Sequence, residues 1–229
     1  MVRGVLAVHR PVRKKEKPVK NTRQLSPCCV AGGLVVLILL GMVSCTTIIP
    51  ELQVHYTLPT PSDQVKGRDV RLTIEDRRTD TSILKRGARE EFKIFSNNVA
   101  LRVSDGGAKE TNIGIFQVAS LMREAFQRRL ARSGITVVSG SSENVPELVI
   151  SIKEFSLDLA GREWLAKMSY EARLTGEDGA VATQSVNGQA TRYKVMGRDA
   201  ADDLMSEIFT DMVNALNMAR LFDQAELWE

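Results

Sequence analysis

Hydrophobic and polar positions change character once along this chain. Cys28 to Cys45 (CCVAGGLVVLILLGMVSC) is a long apolar run without a charge, and beyond it apolar residues recur at strand and helix spacings. Val70, Leu72 and Ile74 alternate with polar neighbours and predict a strand from Arg68 to Asp76. Residues 77–91 read as a polar loop, and residues 92–95 and 99–103 as short strands before the turn Asp105-Gly106-Gly107. Ile115, Val118, Ala119, Met122, Phe126 and Leu130 fall at three- and four-residue steps, which predicts a helix from Ile113 or Phe116 to Ser133, ended by Gly134. A short strand follows over Ile135–Val138. Leu148, Ile150 and Ile152 share one parity, and Phe155, Leu157 and Leu159 the other. A long strand with a bulge at Lys153-Glu154 satisfies both. Trp164 to Leu174 alternates cleanly, Glu177-Asp178-Gly179 makes a hairpin turn, and residues 181–195 return as a third strand of an antiparallel meander. Asp199 as N-cap and the stripe Leu204, Met205, Ile208, Phe209, Met212, Val213 and Leu216 predict a last helix over residues 200–221. The expected fold is α+β, an antiparallel or mixed sheet covered on one face by two helices.

The apolar run sets the domain organisation. It follows a basic arm and closes in Ser44-Cys45, the order of a signal peptide: the positive residues resist translocation and the run partitions into the bilayer. Met42-Val43-Ser44-Cys45 resembles the lipobox of bacterial lipoproteins, with Met42 where Leu is usual. The resemblance implies a diacylglyceryl group on the Cys45 sulfur, cleavage between Ser44 and Cys45, and acylation of the new amino terminus. The other reading is an uncleaved anchor, since a run of this length is at the short edge of what spans a bilayer. Cys28 and Cys29 would then be juxtamembrane thiols. The expected divisions are a signal peptide over 1–44, a lipidated terminus and tether over 45–67, one domain over 68–222, and a tail over 223–229. Pro50, Pro59 and Pro61 favour extended chain in the tether. Val54, Tyr56 and Leu58 alternate, so a short edge strand is the other reading there.

Charge divides at the same place. The chain of 229 residues carries a net +3, but residues 1–44 hold eight basic residues against one acidic. The remainder holds 23 basic and 27 acidic residues, a net −4, which leaves no net basic character to draw it to nucleic acid. Cys45 is the only cysteine after residue 44, so neither a disulfide framework nor a thiolate metal cluster is expected.

Little else points to chemistry. His55 is the only histidine after the leader, which leaves a nucleophile without a histidine base in the globular part. No metal motif and no phosphate loop is present, and no cofactor is called for. The one compact polar cluster is Asp76, Arg77, Arg78 and Asp80 at the end of the first predicted strand. It reads either as a polar binding site or as a salt-bridged turn closing the strand. Arg123, Arg128, Arg129 and Arg132 read as a solvated helix face, and Trp164, Met168 and Tyr170 as sheet core.

Val70-Arg71-Leu72-Thr73-Ile74 leading into Asp76-Arg77-Arg78-Thr79-Asp80 resembles the strand and Asp-X-Arg-Thr-Asp motif of the YajG family of bacterial lipoproteins. The helix ending at Gly134, the segment from Pro146 to Leu159 with its paired strands, and a final helix over Asp202–Asn217 match in position, so the resemblance covers residues 45–222. It implies a lipid-anchored α+β domain and no catalytic residues. By similarity to lipoprotein sorting, Thr46 implies the outer membrane, facing the periplasm. The expected role is a non-enzymatic interaction or accessory component of the cell envelope, bound to a membrane through Cys45 and to an unidentified envelope protein. The alternatives are a lipid or small-ligand carrier or auxiliary lipoprotein of a transport system, the carrier having an apolar cavity between sheet and helices, and a hydrolase using paired carboxylates.

Overall fold

A computed structural model describes residues 51–107, 109–140, 145–176 and 178–225, all within a compact unit that begins at Ile48. Ser44, Cys45, the apolar run and the tail residue Trp228 lie outside the described residues. Among the described residues eight strands and four helices follow in the order β1 (Leu52–Thr57), β2 (Asp69–Asp76), α1 (Arg86–Phe92), β3 (Val99–Ser104), β4 (Glu110–Phe116), α2 (Val118–Arg132), β5 (Thr136–Val137), β6 (Glu147–Ala160), β7 (Glu163–Thr175), β8 (Val181–Tyr193), α3 (Asp199–Ala215) and α4 (Met218–Gln224).

The strands form two sheets, one ordered β1-β3-β4 and one ordered β5-β2-β6-β7-β8. In the larger sheet β2 runs parallel to β5 and β6, while β6, β7 and β8 form the expected antiparallel meander. The sheet is mixed and the fold is α+β. The bulge falls where the parity of apolar residues switches: the register of β6 on β7 shifts between Ile152 and Glu154. Leu148, Ile150 and Ile152 before it, and Phe155 and Leu157 after it, are therefore all buried on one face.

That face meets the helices. Phe126 of α2 packs edge-on against Tyr170 of β7 at 5.5 Å, and Phe92 of α1 against Trp164 at 6.2 Å. Phe209 of α3 touches Phe155 of the larger sheet and Tyr56 of the smaller one, at 6.3 and 5.7 Å. Helix α3 therefore lies between the two sheets, and its apolar stripe is buried on both sides.

Four expectations are corrected. Residues 52–57, assigned to the tether of 45–67 with a short edge strand as the other reading, form that edge strand and belong to the core. Leu52, Val54 and Tyr56 are fully buried, and β1 pairs in parallel with β3. Residues 86–92, inside the expected polar loop and strand, form α1, which buries Ala88 and Phe92. Helix α2 begins at Val118 rather than Ile113 or Phe116, because residues 110–116 pair with β3 and Gly114 takes φ 149°. The last helix stops at Ala215 and restarts at Met218. Asn217 caps the second part by accepting the Arg220 N–H at 3.0 Å, and Arg198 rather than Asp199 occupies the N-cap of the first.

Candidate functional site

Strand β2 ends in the polar cluster singled out in the sequence, and the side chains there are turned on one another. The Arg78 guanidinium donates from Nε and Nη2 to the two carboxylate oxygens of Asp76, at 2.8 and 2.7 Å. The Arg78 backbone N–H reaches the same carboxylate at 3.3 Å, and Nη1 lies 3.5 Å from the Phe155 carbonyl. A planar fork on a carboxylate is the strongest arrangement these two groups can adopt. With the Arg78 side chain only 4 % exposed, it seals the end of the strand against β6. Arg78 and its hydrogen bond hold the Asp76 carboxyl below the usual carboxylate range. Arg77 faces outward and pairs with Glu75 at 2.8 Å, and Glu75 also accepts the Ser151 hydroxyl. Asp80 accepts the Lys85 ammonium at 2.7 Å and the Ser82 N–H at 2.9 Å, which lower its pKa further. The two acids are thus committed to different partners. The arrangement is a closed turn rather than an acid–base pair.

Recesses open on the surface of the domain. One of about 390 Å³ is lined by Leu84, Arg89, Phe92, Lys93 and Phe95. One of about 310 Å³ lies between the loop after β1, the end of α2 and the break between α3 and α4. A larger one, about 930 Å³, runs over the outer face of the smaller sheet, past Gln53, Arg102, Asn112 and Ile115, to the start of α3 at Arg198 and Asp202. Among the described residues no three or more His, Cys, Asp or Glu are grouped to hold a metal ion, and no helix is long and apolar enough to cross a membrane.

Sequence reasoning missed two polar features. Arg129, expected on a solvated face, is buried with 6 % of its surface exposed. Its guanidinium donates to the carbonyls of Val213, Asn214 and Leu216 and so caps the C-terminus of α3. Tyr56 and Tyr170 lie beside it. Burial pushes both phenols well above their ordinary value, and desolvation lowers the Arg129 pKa. Position 129 is three and seven residues beyond Phe126 and Met122, on the buried stripe, and that spacing was the available signal.

The second feature is a polar row on α3 at four-residue steps. Asp202, Ser206 and Thr210 accept the backbone N–H groups of Gln53, His55 and Thr57 at 3.0, 2.9 and 3.2 Å, and Asn214 donates to the Thr57 carbonyl at 3.0 Å. One helical step of four residues rises about 6 Å and two strand residues about 6.6 Å, so the two repeats stay in phase. The row occupies the edge of β1 that β3 leaves open.

No family model matches the sequence, and no curated protein does. Among solved structures the chain is similar to a protein of family DUF330 from Xanthomonas campestris, at 16 % identity and TM-score 0.45 over 75 % of this chain and 97 % of that one. It is also similar to rare lipoprotein B from Shewanella oneidensis (9 %, TM-score 0.38, covering 70 % and 98 %) and to a minor lipoprotein from Acinetobacter baumannii (9 %, TM-score 0.30, covering 48 % and 87 %).

Proposed function

We propose that this protein is a membrane-anchored envelope lipoprotein whose α+β domain acts as a non-catalytic interaction component. The reading rests on one observation, the apolar run that closes in Val43-Ser44-Cys45 only seven residues before the first core strand at Leu52. A basic arm, an apolar run, a small residue and a cysteine form the order that signal cleavage and lipid attachment require. The short distance from that cysteine to β1 ties the domain closely to the membrane. The YajG resemblance and Thr46 favour the outer membrane, facing the periplasm.

The carrier reading needs an apolar cavity between sheet and helices. Tyr56, Phe126, Phe155, Trp164, Tyr170 and Phe209 are core side chains with at most 1 % exposure, which argues against such a cavity. The commitment of Asp76 to Arg78 and of Asp80 to Lys85 argues against a carboxylate hydrolase.

A Cys45→Ala comparison tests the proposal. Wild type is expected to incorporate labelled fatty acid and lose the mass of residues 1–44, and the variant to do neither, staying with membranes only through its uncleaved apolar run. A wild-type chain that keeps its leader and carries no lipid would overturn it.

A further inference from the structure

Six large apolar side chains stand out as exposed among the described residues: Ile94, Ile115, Val181, Tyr193, Val195 and Met196. Five of them gather at one pole. Tyr193, Val195 and Met196 leave the end of β8, and two contacts hold that segment to α1: Lys194 pairs with Glu91, and Arg198 lies over the Phe92 ring at 4.9 Å. Ile94 follows α1 directly. Ile115 lines the large recess together with Gly197, Arg198 and Glu51. Val181 sits at the opposite end of β8, 12 residues away in register, about 40 Å along a strand.

The chain enters the domain at this same pole. Glu51 accepts the Ser96 hydroxyl on both carboxylate oxygens, at 2.8 and 2.9 Å, two residues past Ile94. Only residues 46–50 separate Glu51 from Cys45, and that length reaches at most about 20 Å when fully extended. Arg86, Arg89 and Lys93 are exposed along α1 and just after it and have no carboxylate partner among the described residues, Arg89 donating to the Leu84 carbonyl at 2.9 Å, whereas Glu91 is engaged by Lys194 and Glu90 is the acid beside them.

From this we infer that the pole bearing Ile94, Ile115, Tyr193, Val195 and Met196 is a bilayer-docking face, which rests on the membrane surface and takes anionic lipid headgroups at Arg86, Arg89 and Lys93. The inference builds on the anchored reading above. A short tether rooted beside the apolar residues holds them within reach of the interface. Exposed Ile, Val, Met and Tyr side chains gain by entering the headgroup region, and unpaired cations favour anionic lipid there. Docking fixes the orientation of the domain and turns the β7–β8 turn, with Val181, toward the aqueous side.

The test uses the full chain with its anchor, in vesicles of phosphatidylethanolamine and phosphatidylglycerol. Cys28 and Cys29 are replaced by Ser, and an environment-sensitive dye is placed singly at Ile94→Cys, Met196→Cys or Val181→Cys. Intact mass counts the dyes on each chain. Nitroxide-labelled lipid is expected to quench the dye at positions 94 and 196 at least about two-fold more than at 181, as side chains seated in the interface require. Equal quenching at the three positions in membrane-bound protein overturns the docking face while leaving the anchor standing, and gives this pole to a protein partner. A chain that does not associate with vesicles at all overturns both readings.

Discussion

The carboxylate of Asp202 accepts the backbone N–H of Gln53 across 149 residues of sequence, at 3.0 Å. It is the first rung of the row by which α3 occupies the free edge of β1. Side chains on a helix here do what a neighbouring strand would do, and they protect an edge that would otherwise be open to pairing with other chains.

The position of Asp202 gives that rung a pH dependence. Burial pushes its carboxyl up to about 6 despite the Gln53 hydrogen bond. In the unfolded chain the group titrates near 3.8. Between these values the native state holds a proton that the unfolded state has lost, so stability falls as pH rises. The contribution is fully present below about pH 4 and lost as pH passes through 6. Solvent screening of a partly exposed group limits its size to about 1–2 kcal/mol. Asp202→Asn keeps an acceptor for Gln53 without the charge. It is expected to melt higher than wild type at pH 7, by about 1 kcal/mol, and to match it near pH 4. Asp202→Ala leaves the Gln53 N–H without its acceptor and should lose about 1–3 kcal/mol near pH 4, and less at pH 7, where the buried charge is removed with it. Thermal melts at both pH values check the two variants together.

Arg78 makes the opposite prediction. Its fork lowers the Asp76 carboxyl, so the stability it brings is present above the ordinary carboxylate range and is lost as pH falls through the lowered native value. Arg78→Lys retains the charge but cannot bond both oxygens and the Phe155 carbonyl from one planar group. We expect it to destabilise by about 1.5–3 kcal/mol in urea titration at neutral pH. Arg77→Lys, altering an exposed pair, should change stability by less than about 1 kcal/mol. Equal losses at the two positions would mean that the motif is not the strand-end clamp described above.

What could be read from the sequence follows from how local each pattern is. Strands β6 to β8 were legible because the alternation of Trp164 to Leu174 extends over a whole strand, and because the change of parity at Lys153 can be met only by a bulge. Strand β1 was legible only as the alternative to a tether, since its three buried residues lie among prolines and its partner β3 is distant in sequence. Helix α1 buries only Ala88 and Phe92, too few to form a stripe. Residues 113–116 continue the helical spacing of α2, and only pairing with β3 makes them a strand. At the polar cluster, the spacing of Asp76 and Arg78 was visible, but whether Arg78 turned inward was not. Arg129 was the reverse: its position on the apolar stripe was legible, yet its charge suggested solvent until three carbonyls at the end of α3 supplied partners.

Those three carbonyls make Arg129 a test of how α3 is terminated. A buried guanidinium without a carboxylate is costly unless every nearby acceptor serves it. Here the acceptors are the last carbonyls of the helix, which need donors themselves. Arg129→Met fills much of the volume but leaves those carbonyls bare, and should cost about 2–4 kcal/mol. The loss should be local as well as global. Amide exchange is expected to accelerate most over residues 212–218, with the β6–β7 pairing less affected. Uniform acceleration across the domain would mean that Arg129 acts only through general packing.

The tightest approach at a glycine among the described residues lies where α1 meets the end of β6. A Cβ on Gly87 would fall 1.9 Å from the Leu159 carbonyl oxygen, a backbone atom that cannot swing away. The Gly87 N–H is bound to Asp158 at 3.0 Å, and Lys85 donates to the Leu157 carbonyl. The chain is therefore held against the strand at the glycine and two residues before it. Gly188 on β8 is constrained more weakly: a Cβ there meets the Met212 side chain, which can shift. Gly87→Ala must push α1 off β6, and is expected to lose at least about 1–3 kcal/mol and to loosen the contact of Phe92 with Trp164, seen as a change in tryptophan emission. Gly188→Ala should cost less and leave that emission unchanged. If Gly87→Ala is as stable as wild type, α1 does not sit against Leu159 as described, and the pole that carries Ile94 is not fixed by β6.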